Sequence, residues 1–402
     1  MSYALKNRLS RRCLLSHAAV VSSLALTAQL LNSPSAAQAQ TPGADSATPA
    51  ALPATFEELL QTGLDRGLPG VALRVERGNE VVFDGAAGFA SREQQTLVAP
   101  SDRFGVGSVT KTFTAVLVLQ LVDDGVLTLD DTVTKWLDDP VVGRIPYVDR
   151  ITLRQLLTHT SGTYDMFDSG SPFFQDAYLG EGADWTRVWT PLEVLAYADG
   201  AKQEPYFAPG EGIHYSNTGY ILLGLILEQA TGQTYAERLH ARILGPLGLA
   251  DTFFASTEPV PGGKVDAYQL IDGELLNVSA IDLSSPGTAG GMVSTTRDLA
   301  RFAEALFGGE LLQPATLEKM VTFIPSGRPN LDAGMGVFRQ QTPSGVIVGN
   351  SGDGIGSTAR MYQPADTDLT LVLLSNTSDG ETVDSLFDDT VRIALAMAKQ
   401  NC

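Results

Sequence analysis

Apolar and polar positions along this 402-residue chain predict a strand-bearing start, a helix- and loop-rich middle and a strand-rich end. A short amphipathic helix is expected over Thr55–Gly67. Val71–Glu76 and Val81–Asp84 are short β-rich runs split by Arg77-Gly78-Asn79, which reads as a hairpin. A helix carrying Ser108 is predicted to run to about Asp124. Its apolar body, Ala115-Val116-Leu117-Val118-Leu119, is uninterrupted and should be buried, and Asp124-Gly125 ends it. Between about Asp130 and Ala280 the clearest helical patterns are Ile151–Leu157 and Gly219–Ala230, the second closed by Thr231-Gly232. A helix over Thr296–Leu306 follows a glycine-rich turn at Gly287–Gly291. The tail reads as three consecutive strands, Gly345–Gly349, Ser357–Tyr362 and Leu369–Leu374, then a helix over Glu381–Lys399.

Strands near the start and the end are therefore expected to pair in one α/β (α+β) lobe, an antiparallel sheet flanked by helices, from about 55–125 and 285–402. A mostly helical second lobe would occupy about 126–284. No internal repeat is visible.

The first 39 residues break this pattern. Lys6, Arg8, Arg11 and Arg12 form a basic start, Cys13–Leu31 is mostly apolar, and Ala37-Gln38-Ala39 offers a small-residue cleavage site. The arginine pair also fits twin-arginine export. Residues 40–54, rich in Ala, Pro, Thr and Gly, read as a flexible linker. A periplasmic or secreted location follows. No later run reaches about 18 apolar residues, so no stable membrane span is expected in the mature form.

The formal charge of −19 becomes more acidic once the basic leader is removed. Such a surface repels nucleic acid and anionic lipid, so neither is an expected partner. The two cysteines, Cys13 and Cys402, cannot make a cysteine-rich zinc site. His159, His214 and His240 are far apart in sequence and lack metal-ligand spacing; neither metal nor cofactor is expected. His159 is read as ordering its threonine-rich turn. His214 would face away from Tyr215 on an extended backbone, and His240 is expected at the surface. The pairs Asp123-Asp124, Asp130-Asp131 and Asp138-Asp139 are read as solvated caps.

Candidate chemistry concentrates in three places. Phe104-Gly-Val-Gly-Ser-Val-Thr-Lys-Thr-Phe-Thr-Ala115 puts Ser108 three residues before Lys111, and no other of the seven lysines has serine at that offset. On a helix these positions share a face. Of eleven tyrosines, only Tyr215 has asparagine, Asn217, two residues on. Asn350-Ser351-Gly352, followed by Asp353, stands at the end of a predicted strand. A serine hydroxyl needs a base beside it. A desolvated Lys111 has a lowered pKa and can take that role, and a Tyr215 phenolate held by Lys111 is the other candidate. No Gly-x-Ser-x-Gly pattern of a Ser-His-Asp hydrolase is present.

The order Ser-x-x-Lys, Tyr-x-Asn and small-residue strand triplet resembles the class C β-lactamase and serine-type D-Ala-D-Ala carboxypeptidase family. Leu156-Leu-Thr-His-Thr-Ser-Gly162, Pro209–Gly212 and Ala289-Gly-Gly-Met-Val-Ser294 add to the likeness, which runs from about Phe56 to Met397. The resemblance implies a β-lactamase/transpeptidase-like fold and an exported serine hydrolase working through an acyl-enzyme on Ser108. A D-Ala-D-Ala-type peptide is the leading substrate. A small ester or a β-lactam uses the same machinery, and a catalytically silent cell-wall binding module is the rival of another class. It also implies that Asn217 holds Lys111 and the substrate amide, and that the N–H groups of Ser108 and Asp353 form an oxyanion hole. One departure stands out: the family triplet usually opens with Lys or His, and here it opens with Asn350. Arg339, on the preceding strand-like run, is the candidate to replace that charge.

Overall fold

A nine-stranded antiparallel sheet, in the order β3-β2-β1-β13-β12-β11-β10-β9-β8, forms the centre of the chain among its described residues. The computed structural model describes residues 53–400 apart from Asn79, Ser169 and Asp272. The expected leader and nearly all of the expected linker lie outside the described residues.

The sheet is built from β1 (Gly70–Arg77), β2 (Glu80–Ser91) and β3 (Thr96–Leu97) of the early chain. The late chain adds β8 (Ile324–Arg328), β9 (Leu331–Ala333), β10 (Phe338–Thr342), β11 (Gly345–Gly354), β12 (Ser357–Pro364) and β13 (Leu369–Ser375). Early and late segments meet where β1 pairs with β13, Val71 opposite Ser375 and Arg77 opposite Leu369. Every residue of β13 is buried, so its sequence is a nearly unbroken apolar run, as a strand covered on both faces requires. Side chains alternate across it. Leu371 and Leu373 join Val71 and Leu73 against the terminal helices α1 (Phe56–Asp65) and α6 (Gly380–Gln400). Val372 and Leu374 join Ala72 in the larger core.

That larger core holds α2 (Thr110–Asp123), α3 (Leu153–Leu157), α4 (Asn217–Thr231) and α5 (Thr296–Phe307). In α2 every residue from Thr110 to Leu121 is buried. Ser216 caps the start of α4, and Gly232, at φ 65°, closes its end in the left-handed conformation that glycine tolerates.

Several boundaries differ from expectation. The helix expected from Ile151 begins at Leu153, because Thr152 and Gln155 form a capping box there. The tail carries β8, β9 and β10 before the three strands foreseen. Their weak apolar alternation follows from their place at the sheet's end, where many side chains stay exposed. The middle contains a hairpin, β5 (Tyr268–Ile271) with β6 (Glu274–Asn277). A two-stranded patch pairs β4 (Phe104–Gly105) with β7 (Val293–Ser294), so the chain entering Ser108 is tied to the segment that follows the glycine-rich turn.

Candidate active site

Between β4 and α2 the chain makes a single 3-10 turn, Gly107–Val109, with Ser108 at its centre. Gly107 has φ +49°, and a Cβ there would stand 3.2 Å from the Asp353 nitrogen. Gly352 on β11 faces the same turn. A Cβ on it would fall 1.9 Å from the Val106 oxygen and 2.9 Å from the Ser108 nitrogen, and real side chains never approach so closely. These two glycines let the backbones of β11 and the Ser108 turn touch, which brings the backbone nitrogens of Ser108 and Asp353 together.

Lys111, one turn on, is fully buried. Its Nζ donates to Ser108 Oγ at 3.1 Å, to Asn217 Oδ1 at 2.7 Å and to the Ala289 carbonyl at 2.7 Å. The Tyr215 hydroxyl donates to Ser108 Oγ at 2.6 Å. Burial lowers the Lys111 pKa to about 7, against the opposing pull of Asp165. Burial raises that of Tyr215, well above the ordinary phenol value, so the phenol keeps its proton. This arrangement closes arithmetically. An ammonium has three N–H donors for three acceptors; a neutral amine keeps two for Asn217 and Ala289 and turns its lone pair to Ser108. A hydrogen-bond chain Tyr215–OH to Ser108–OH to Lys111 then forms with no donor left over.

Asp165, for which the sequence offered no spacing rule, supports the set from behind. Its Oδ2 accepts from Asn217 Nδ2 at 2.8 Å and from the Asn217 backbone N–H at 3.2 Å. Burial and the nearby Asp168 raise its pKa to about 6, partly offset by backbone N–H groups and Lys111. Asn217 thereby presents its carbonyl to Lys111 and its amide to Asp165, which determines which way its side chain faces.

Residues 53–396 match the family described as Beta-lactamase. The chain belongs to the Beta-lactamase family. Among its relatives, Penicillin-binding protein 4* of Bacillus subtilis (strain 168) is 29% identical over 76% of this chain and 68% of its own length. Esterase EstB of Burkholderia gladioli is 32% identical over 68% of this chain and 74% of its own length. A D-stereospecific amidohydrolase from Streptomyces sp. aligns in structure with TM-score 0.72 at 33% identity, over 81% of this chain and 96% of that one. Its large antiparallel sheet with flanking helices is thus the β-lactamase/transpeptidase-like fold.

The family-like triplet lies inside β11 rather than at its end, since the strand continues to Gly354. Ser351 lines the cavity in front of Ser108. Asn350 is 1% exposed. Its Nδ2 lies near three oxygens: the Ser108 carbonyl at 3.3 Å, Thr112 Oγ1 at 3.0 Å and the Gly336 carbonyl at 3.1 Å. It ties β11 to the start of α2.

The structure does not bring Arg339 to this site. On β10 the residues that line the cavity are Phe338 and Gln340, and strand alternation turns Arg339 to the opposite face. There it pairs with Asp332 at 2.7 Å and covers the Phe323 ring. His214 also departs from expectation. It lines the same cavity as Tyr215, stacks on Tyr206 at 3.5 Å between ring centroids, and its Nδ1 meets the Tyr215 carbonyl at 2.9 Å. His159, at φ 60°, is buried, receives the Ser216 N–H on Nδ1 at 3.1 Å and stacks on Tyr215. Burial and Lys111 hold its pKa well below the ordinary value, so it remains a neutral support. His240 is exposed beside Glu258.

The cavity has a volume of about 520 Å³. Phe167, Phe174, Tyr178, Ile281 and Leu283 contribute apolar wall, and Arg328 and Arg360, neither singled out from sequence, contribute charge.

Proposed function

We propose that this protein is a hydrolase that cleaves amides or esters through an acyl-enzyme on Ser108, with D-configured peptides and amides of the D-Ala-D-Ala type as leading substrates. The observation that carries this reading is Ser108 Oγ held between a lysine of lowered pKa at 3.1 Å and a protonated tyrosine at 2.6 Å.

In this mechanism neutral Lys111 takes the Ser108 proton as Oγ attacks the substrate carbonyl. The N–H groups of Ser108 and Asp353 receive the developing oxyanion, and one such donor is worth about 3 kcal/mol. Tyr215 gives its proton to the leaving amine or alkoxide, and Lys111, whose Nζ lies 4.7 Å from the Tyr215 ring centroid, returns to the phenolate the proton it took from Ser108, so that the amine is neutral again. Water then attacks the acyl-serine ester with the same groups acting in reverse. Asn217 keeps Lys111 aimed and offers its carbonyl toward the substrate amide. The names penicillin-binding protein, esterase and amidohydrolase among the relatives all describe proteins compatible with acyl transfer at a carbonyl.

Esterase activity is the second reading. It is favoured by Asn350, which places no cation at the triplet position and whose amide is already occupied.

Labelling with a fluorescent penicillin, followed by peptide mass spectrometry, tests the nucleophile. Acylation at Ser108 is expected; label elsewhere, or no acylation by penicillin or any cleaved ester, overturns the reading. Hydrolysis rates on D-Ala-D-Ala peptide, D- and L-amino acid amides and phenyl acetate then rank the substrates. Export belongs to the same proposal: N-terminal sequencing of protein from the native host should find a start near Gln40. Among the described residues no helix is long and apolar enough to cross a membrane.

A further inference from the structure

An anionic substrate group needs a cation that no carboxylate already neutralises. Among the described residues, two arginines line the cavity. Arg360, its side chain only 5% exposed, is held by Asp353 at 3.0 Å and Asp384 at 2.6 Å. Arg339 faces away and is paired with Asp332. Asn350 is neutral, and its amide already has three acceptors around it.

Arg328 differs from all of these. Its guanidinium makes no hydrogen bond or ion pair with another described residue, although it is half-buried and near enough to Asp168 to feel its charge. The local fold aims it. The β8–β9 register shifts between Pro325 and Arg328, and Gly327 sits at φ +77°. Ser326 Oγ accepts the Arg328 N–H at 3.2 Å and donates to the Leu331 carbonyl at 2.6 Å. A bulge of this kind re-aims the side chain that follows it, and Ser326, Arg328 and Leu331 all reach the cavity.

We propose that Arg328 binds a carboxylate of the substrate, so that anion recognition in this protein sits on the β8–β9 arm rather than on the triplet strand or β10. The proposal rests on the acyl-enzyme reading of Ser108. An arginine fork matches a carboxylate with two parallel N–H···O bonds, and a half-buried, unpaired guanidinium gains most from such a partner.

The test compares kcat/KM within matched pairs: meta-carboxyphenyl acetate against phenyl acetate, and mono-para-nitrophenyl succinate against para-nitrophenyl butyrate. The pairs place the carboxylate on the leaving group and on the acyl group. Arg328→Met should lower the carboxylate-to-neutral ratio about tenfold or more in at least one pair, the size expected for lost charge-assisted hydrogen bonds. A ratio within about twofold of wild type in both pairs overturns the proposal. So does a tenfold change produced by Asn350→His or Arg339→Ala in place of Arg328→Met. A second measurement does not depend on the chemistry. Calorimetric binding of benzoate to Ser108→Ala protein should weaken about tenfold when Arg328→Met is added; equal affinities, or no binding to Ser108→Ala protein, overturn it. If Ser108 proves not to be the nucleophile, the benzoate result still stands by itself.

Discussion

The Asn350 side-chain amide donates to the main-chain carbonyl of Ser108, 3.3 Å away. The first residue of the triplet therefore braces the Ser108 turn from behind, and the same amide reaches Thr112 and Gly336. Asn350→Ala should leave these acceptors short of a donor inside the core and cost about 1–3 kcal/mol. Thermal or denaturant unfolding checks this. The ratio of activity on carboxylated and neutral esters should stay within about twofold, since the side chain is occupied by the protein itself.

Ser108→Ala should lower kcat on any cleaved substrate by at least ~10³-fold without changing the circular dichroism spectrum. Lys111→Ala and Tyr215→Phe should also be severe. Combined with Ser108→Ala they should add little, because the three groups act as one unit. Steady-state kinetics on purified single and double variants measures this directly.

The pH dependence has a definite sign. Burial lowers the Lys111 pKa to about 7, and the base works only when neutral, so acylation should rise with pH and level off above an apparent pKa near 7. Asp165 acts the other way, its charge favouring the ammonium. Asp165→Asn should therefore move the rising limb to lower pH, while its amide oxygen can still accept from Asn217. A pH–kcat/KM profile of both proteins decides it; a limb that stays put or moves up counts against Lys111 as base. Stability follows by linkage. Between about 7 and the ordinary 10.5, Lys111 is neutral in the fold and charged in the unfolded chain. The unfolded state binds more protons there, so this group's contribution to stability rises with pH through that window.

Gly352→Ala should lower kcat far more than its one added methyl suggests. The new Cβ would fall 1.9 Å from the Val106 oxygen and 2.9 Å from the Ser108 nitrogen, so β11 and the Ser108 turn must separate. A displaced oxyanion donor costs about 10²–10³-fold in kcat. Single-turnover acylation with a chromogenic ester isolates the affected step.

How much of this protein was legible before its fold was known depends on the range of the interactions involved. Helix phase, glycine stops and short-range spacing act over a few residues, so the sequence alone determined the apolar body of α2, Gly232 as the end of α4, and the pairing of Ser108 with Lys111 on one helical face. The ordered motifs also singled out Tyr215 and Asn217. Distance in the chain hid the rest. Asp165 reads as an ordinary loop carboxylate until α4 places Asn217 beside it. Arg339 reads as a charge on a strand-like run, and nothing in the sequence singled out Arg328. Only sheet register turns Arg339 out to Asp332, and only the bulge at Gly327 turns Arg328 in. Asn350 looked like a missing cation, and burial made it a brace, because a strand residue's role depends on which face of the sheet it meets. The tertiary structure alone decided these points: each depends on partners from 52 to 242 residues away, or on strand register and bulges set by neighbouring strands.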